Sequence, residues 1–194
     1  MLFRSVSASM IGSVADKVCR TVPVPVMFIR PPETPEGISV KKRLLSRILV
    51  PLDGSELSLR ALTPAKELAT RLPASITLFQ MSRIIVPYAE ASMLGVTTVN
   101  YAQWNEDVKT VVENELSTLE KKLREENLTV THRVTVGTDA ASEIIEAGKK
   151  VGADLVVMST HGASGLSKWV LGSVAEKVLR NSDIPLLLVN ARVK

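Results

Sequence analysis

Aromatic residues are scarce in this chain: Phe, Trp and Tyr together make up 4% of its 194 residues. Charge of one sign is also scarce. The formal net charge is only +4, and Lys and Arg lie scattered among Glu with no basic stripe interleaved with aromatics. Nucleic-acid recognition needs that combination and is disfavoured. Cys19 is the single cysteine, which excludes an internal disulfide framework and fits a reducing compartment. No apolar run approaches the roughly 18 residues of a membrane span, and the N-terminal stretch lacks a signal-peptide apolar region. These absences lead to the expectation of a soluble, cytoplasmic protein without a membrane partner. Metal-ligand spacings of Cys and His are missing. Gly-x4-Gly-Lys-[Ser/Thr] and Gly-x-Gly-x2-Gly are missing as well, so neither a Walker NTPase nor a dinucleotide dehydrogenase is indicated. Ser164 and Ser167 do not stand in Gly-x-Ser-x-Gly, which leaves a nucleophile elbow unsupported.

What is present is a core-forming sequence, 45% hydrophobic, in which short apolar runs alternate with helical spacing. A stretch opening at Arg47 and ended by Pro51, together with Ser75–Met81, Thr129–Val136, Leu155–Met158 and Pro185–Val189, reads as strands. Glu56–Leu72, Gln103–Glu126, Ala140–Val151 and a segment beginning around Gly172-Ser173 read as helices, with Pro64 predicted to kink the first or split off its first turns. Asp139 or Thr138 is placed to cap the third of these. Residues 82–100 read as a long surface excursion. Alternation of this kind predicts an α/β fold: a doubly wound, five-stranded parallel sheet with helices on both faces. Ligands of such sheets bind outside the carboxyl ends of the strands, where strand order reverses. Asp53, Met81 and Ser159 all fall at such ends.

The chain also repeats itself. Gly12–Arg20 parallels Gly172–Arg180, and Val24–Ile29 parallels Ile184–Val189, at a constant offset of 160 residues. A fixed offset marks a duplicated unit. Residues 1–30 therefore read as the truncated end of a preceding domain, with its last helix and strand. Residues 31–45 read as a linker opened by Pro31, Pro32 and Pro35, and 46–191 as a complete domain.

These residues resemble the universal stress protein family over about Ser46 to Asn190. The family's nucleotide-binding members carry Gly-x2-Gly-x9-Gly-[Ser/Thr] after the fourth strand, and this chain is similar in having Ser159-x2-Gly162-x9-Gly172-Ser173. Val50–Ser55 resembles the family's opening, whose aspartate faces the nucleotide. The resemblance implies a Rossmann-like fold of the adenine-nucleotide alpha-hydrolase type. It also implies a site for ATP, or for ADP or AMP, with Mg carried in on the phosphates.

Residue by residue, the resemblance implies that Pro51, Leu52 and Asp53 border ribose and adenine. Met81 and Met158 flank the base, and Ser159, Gly162, Gly172, Ser173 and Val174 offer N–H groups and a hydroxyl to the phosphates. Serine at 159 is compatible with extended backbone and costs about 1 kcal/mol or somewhat more in a left-handed one. Asp53-Gly54 also reads as a simple turn former, and His161 as a structural or solvent-facing residue. Two functions follow. One is a regulatory nucleotide binder in stress response with little or no hydrolysis and no catalytic residues. The other is an interaction protein acting through dimerisation. In the second, strand 184–189 is a sheet edge that builds a homodimer, and 24–29 pairs antiparallel with it in the same chain or a neighbouring one.

Overall fold

The computed structural model describes residues 17, 22, 24–29, 45–84, 100–162 and 171–190. The linker, the excursion over 85–99, the loop 163–170 and most of the repeated N-terminal helix lie outside the described residues. The described strands are β1 (Val26–Phe28), β2 (Arg47–Leu52), β3 (Ser75–Arg83), β4 (Val130–Gly137), β5 (Leu155–Ser159) and β6 (Leu186–Val189). The described helices are α1 (Glu56–Leu59), α2 (Leu62–Arg71), α3 (Tyr101–Glu125), α4 (Ala140–Val151) and α5 (Ser173–Asn181).

One sheet runs in the order β1-β6-β5-β2-β3-β4. β2 to β6 are mutually parallel, while β1 is antiparallel to β6. The expected α/β fold with a doubly wound parallel sheet is therefore present, with six strands rather than five. The extra strand comes from the repeated segment, which pairs within its own chain. This also corrects the expectation that 184–189 is a sheet edge, because β1 lies outside it.

Both faces of the sheet are covered, so its central strands are apolar throughout. Ile48, Val50, Leu78, Leu155, Val157 and Leu187 pack with Leu62 and Ala65 of α2 and Leu116 and Leu123 of α3. Leu49, Phe79, Val156, Met158, Leu186 and Leu188 pack with Ala141 and Ile144 of α4 and Ala175 and Val178 of α5. Fully burying one such side chain stabilises the fold by about 1.5–3 kcal/mol. Pro64 splits the first helical segment as predicted. It becomes the third residue of α2, where a missing N–H costs nothing because first-turn donors have no intrahelical acceptor. On α3, Val111 is 56% exposed, and Trp104 is exposed two turns earlier. His132, which carries no signal in the sequence, meets Glu120 through Nδ1, and Glu120 also holds Arg124 at 2.6 Å. That cluster fastens α3 to β4.

The amino ends of the strands are tied by Asp154. Its Oδ2 accepts from the Ser46 amide (3.1 Å), the Ser46 hydroxyl (2.8 Å) and the Arg47 amide (3.0 Å). Burial pushes the Asp154 carboxyl up, but those hydrogen bonds and the Arg47 charge outweigh it and hold it below the usual carboxylate value. Gly152 turns the chain out of α4 at φ 59°, a left-handed conformation that glycine adopts without steric cost. The two central strands β2 and β5 are thus locked at one end, and the opposite, carboxyl end is left to build a site.

Candidate functional site

Strand order reverses between β2 and β5, because the chain winds from β2 through β3 to β4 and then returns to add β5 and β6 on the other side. A crevice is expected above that point. A cavity of about 490 Å³ lies there, within the size range of small-molecule sites.

β2 delivers Pro51 and Leu52 and ends in a tightly bonded turn. Asp53 Oδ1 accepts from the Ser55 amide (3.0 Å) and hydroxyl (2.6 Å). Ser55 Oγ in turn caps α1 by accepting from the Ser58 amide at 3.1 Å. Gly54 takes φ +79°, which a side chain would strain. Asp53 is therefore the turn former its sequence allows, and it also lies on the cavity wall.

Strand β5 supplies Met158 and Ser159. Among the described residues Asn127 is the only non-glycine residue with positive φ, so Ser159 closes β5 in ordinary strand geometry. The extended alternative holds, and serine carries no backbone penalty. Its Oγ accepts from the His161 amide at 3.3 Å. Thr160 is pinned twice: its amide donates to the Val189 carbonyl (2.9 Å) and its carbonyl accepts from the Gly172 amide (2.8 Å).

The last bond corrects one expectation. Gly172 does not offer its N–H to a ligand, because Thr160 already takes it. What glycine provides there is closeness, since a Cβ would sit 2.7 Å from the Thr160 carbonyl oxygen. Gly162 has the same use, because a Cβ there would overlap the Asp53 carboxylate. α5 then starts at Ser173. Gly172 has no side chain to cap it, and the amides of Ser173, Val174 and Ala175 meet no acceptor among the described residues. First-turn amides at the positive end of a helix dipole form an anion-attracting corner.

All ten residues expected at the site line this cavity: Pro51, Leu52, Asp53, Met81, Met158, Ser159, Gly162, Gly172, Ser173 and Val174. Spacing did not find the opposite wall. Phe79 and Arg83 come from β3, and Ala140 and Ile144 from α4. The period-2 alternation of β3 was the available signal, since Phe79, Met81 and Arg83 share one face. Arg83 is exposed and makes no ion pair with a described residue. Beside Ala140, Asp139 takes the N-cap position of α4, yet it bonds the Ser142 hydroxyl (2.8 Å) and Lys177 (3.5 Å). The Ser142 hydrogen bond holds its carboxyl below the usual value against slight burial, with Lys177 assisting. His161 lines the cavity with Nδ1 3.0 Å from Thr160 Oγ1. No group of three or more His, Cys, Asp or Glu able to hold a metal occurs among the described residues. No helix among them is long and apolar enough to cross a membrane.

Comparison with known proteins agrees with this geometry. The model of the universal stress protein family matches residues 45–190. Universal stress protein MJ0531 of Methanocaldococcus jannaschii is 33% identical over 151 residues, covering 76% of this chain and 84% of its own. Universal stress protein Rv2005c of Mycobacterium tuberculosis is 27% identical over 199 residues, covering 95% of this chain and 57% of its own. The solved structure of MJ0577 superposes with a TM-score of 0.63 at 24% identity, over 76% of this chain and 97% of that one.

Proposed function

This chain belongs to the universal stress protein family, and from that premise we propose that it binds ATP or a related adenine nucleotide in a regulatory role. The observation that carries the reading is the first turn of α5, whose amides meet no acceptor among the described residues and which borders a cavity whose other walls are largely apolar. Residues and ligand fit at both ends. Met81, Met158, Phe79 and Ile144 would take the flat base by dispersion and sulfur–aromatic contact. The amides of Ser173, Val174 and Ala175, with the Ser173 hydroxyl, would take phosphate oxygens. Asp53 would accept from a ribose hydroxyl. Mg, if used, would enter with the phosphates. The nucleotide supplies an anionic tail, and the chain binds and orients it.

We read the role as signalling by occupancy, with hydrolysis slow at best, because the sequence carries neither a Walker motif nor a nucleophile elbow. Residues 1–30 are read as the last helix and strand of a preceding domain. That reading is supported by the 160-residue repeat and by the long alignment with Rv2005c. A cytoplasmic location belongs to the same reading. The alternative, an interaction protein that works as a homodimer through β6, would require β1 to leave that strand. Calorimetric titration with MgATP, ADP and AMP tests the proposal. Saturable binding is expected, and no heat at millimolar nucleotide refutes it.

A further inference from the structure

Resting on the nucleotide reading above, we propose that Arg83 is a charge-selecting residue of the cavity: a cationic anchor across from the first turn of α5 that favours a nucleoside triphosphate over a monophosphate. Arg83 is the last residue of β3. It shares a face with Phe79 and Met81 and stands about 7 Å further along the strand than Met81. All three line the cavity. β3 lies two strands from β5 in the sheet, a separation of about 10 Å. Arg83 and the first turn of α5 therefore border the same space from opposite sides.

The charge of Arg83 is uncompensated among the described residues. It is the one Lys or Arg among those that line the cavity. Its neighbour in the β4 register is Gly137, which has no side chain to engage it. The carboxylates around it are held elsewhere. Asp53 Oδ1 accepts from Ser55, and Asp139 bonds Ser142 and Lys177. Glu143 of α4 approaches Gly137, where an added Cβ would lie 3.0 Å from its Oε1, yet no ion pair joins it to Arg83. A guanidinium keeps its charge at any working pH and offers five donors in a rigid fork, which leaves them to a ligand. One phosphate held at α5 leaves the far side of the cavity unbridged. A triphosphate carries further negative charge toward it.

Calorimetric titration of the full chain in magnesium-free buffer of low ionic strength tests this, with ATP, AMP, adenosine and inorganic tripolyphosphate as probes. Arg83→Gln exchanges one exposed side chain for another, so folding is not at stake. It is expected to weaken ATP and tripolyphosphate by about three- to ten-fold, AMP by less, and adenosine not at all. Arg83→Lys should restore most of the loss, and added salt should narrow the gap between parent and variant. An equal loss for adenosine and ATP would make Arg83 a contact to the base and overturns the proposal. So does a variant that loses stability to urea while every affinity holds, because Arg83 would then merely balance Glu143. ATP binding indifferent to Arg83 refutes the charge selection alone. Arg83-dependent uptake of tripolyphosphate without ATP or adenosine refutes the nucleotide reading alone, and binding of no probe refutes both.

Discussion

Gly172→Ala separates two physical arguments by the sign of its effect. Gly172 has φ −58° and ψ 143°, which any residue adopts, so backbone entropy alone predicts that alanine stabilises the protein by about 0.4–1 kcal/mol. Space predicts the reverse. The new Cβ would lie 2.7 Å from the Thr160 carbonyl oxygen, where ordinary contact begins at 3.4 Å. That oxygen cannot retreat cheaply, because the Thr160 amide is bonded to Val189 and the carbonyl itself to the Gly172 amide. Overpacking against fixed backbone costs about 1–3 kcal/mol, and stretching the Gly172–Thr160 bond adds about 0.5–1.5 kcal/mol. A net loss of about 0.5–4 kcal/mol is expected. For a domain of this size that lowers Tm by about 1–16 °C. Urea unfolding followed by circular dichroism measures it. A Gly172→Ala protein as stable as the parent, or more stable, refutes the claim that this glycine exists for close approach of α5 to β5.

Three further outcomes follow from the same contacts. Gly162→Ala should destabilise by displacing the Asp53 carboxylate, and in the double variant with Asp53→Ala the two costs should fall short of their sum by about 1 kcal/mol; additive values in a double-mutant cycle would show that the residues do not touch. The Asp154 carboxyl is held below the usual carboxylate value by its hydrogen bonds and the Arg47 charge, so its contribution is present above the unfolded pKa and is lost as pH falls through the folded one. Asp154→Asn should accordingly cost about 1–2 kcal/mol near neutral pH and progressively less in acid, whereas stability–pH curves that stay parallel down to pH 2 contradict this. Leu155→Ala removes a side chain with no exposure at the sheet centre and should cost about 2–5 kcal/mol by urea midpoint; a cost below 1 kcal/mol would mean the site collapses without a cavity.

The sequence made the fold legible where one rule governed a segment. The buried runs of β2, β5 and β6 carry their own pattern, and Pro64 announced the break between α1 and α2. Nine of the ten site residues were legible because they lie at the carboxyl ends of β2 and β5 or in the segment between β5 and the first turn of α5, where strand order reverses, and Met81 ends the neighbouring apolar run of β3. What escaped depends on contacts between distant segments. Nothing around Gly172 shows that Thr160 takes its amide, since that bond forms only once α5 docks on β5. Phe79 and Ile144 belong to the core and also line the cavity, because the core opens into it at that level. The repeat revealed that 24–29 copies 184–189, yet only coordinates could tell which chain the copy pairs with.

The pairing of β1 with β6 also bears on how the molecule is made. Val26 must wait for Leu188, which lies 162 residues later in the chain, and at about 5–20 residues per second the ribosome takes about 10–30 s to supply it. β2, β3 and β4 are neighbours in sequence as well as in space, so half the sheet can assemble during that interval. β1, made before the other strands of this sheet, is thus the last of them to find its seat. Until then its apolar stretch is accompanied by Pro23, Pro25, Pro31 and Pro32, residues that discourage nascent chains from stacking on one another.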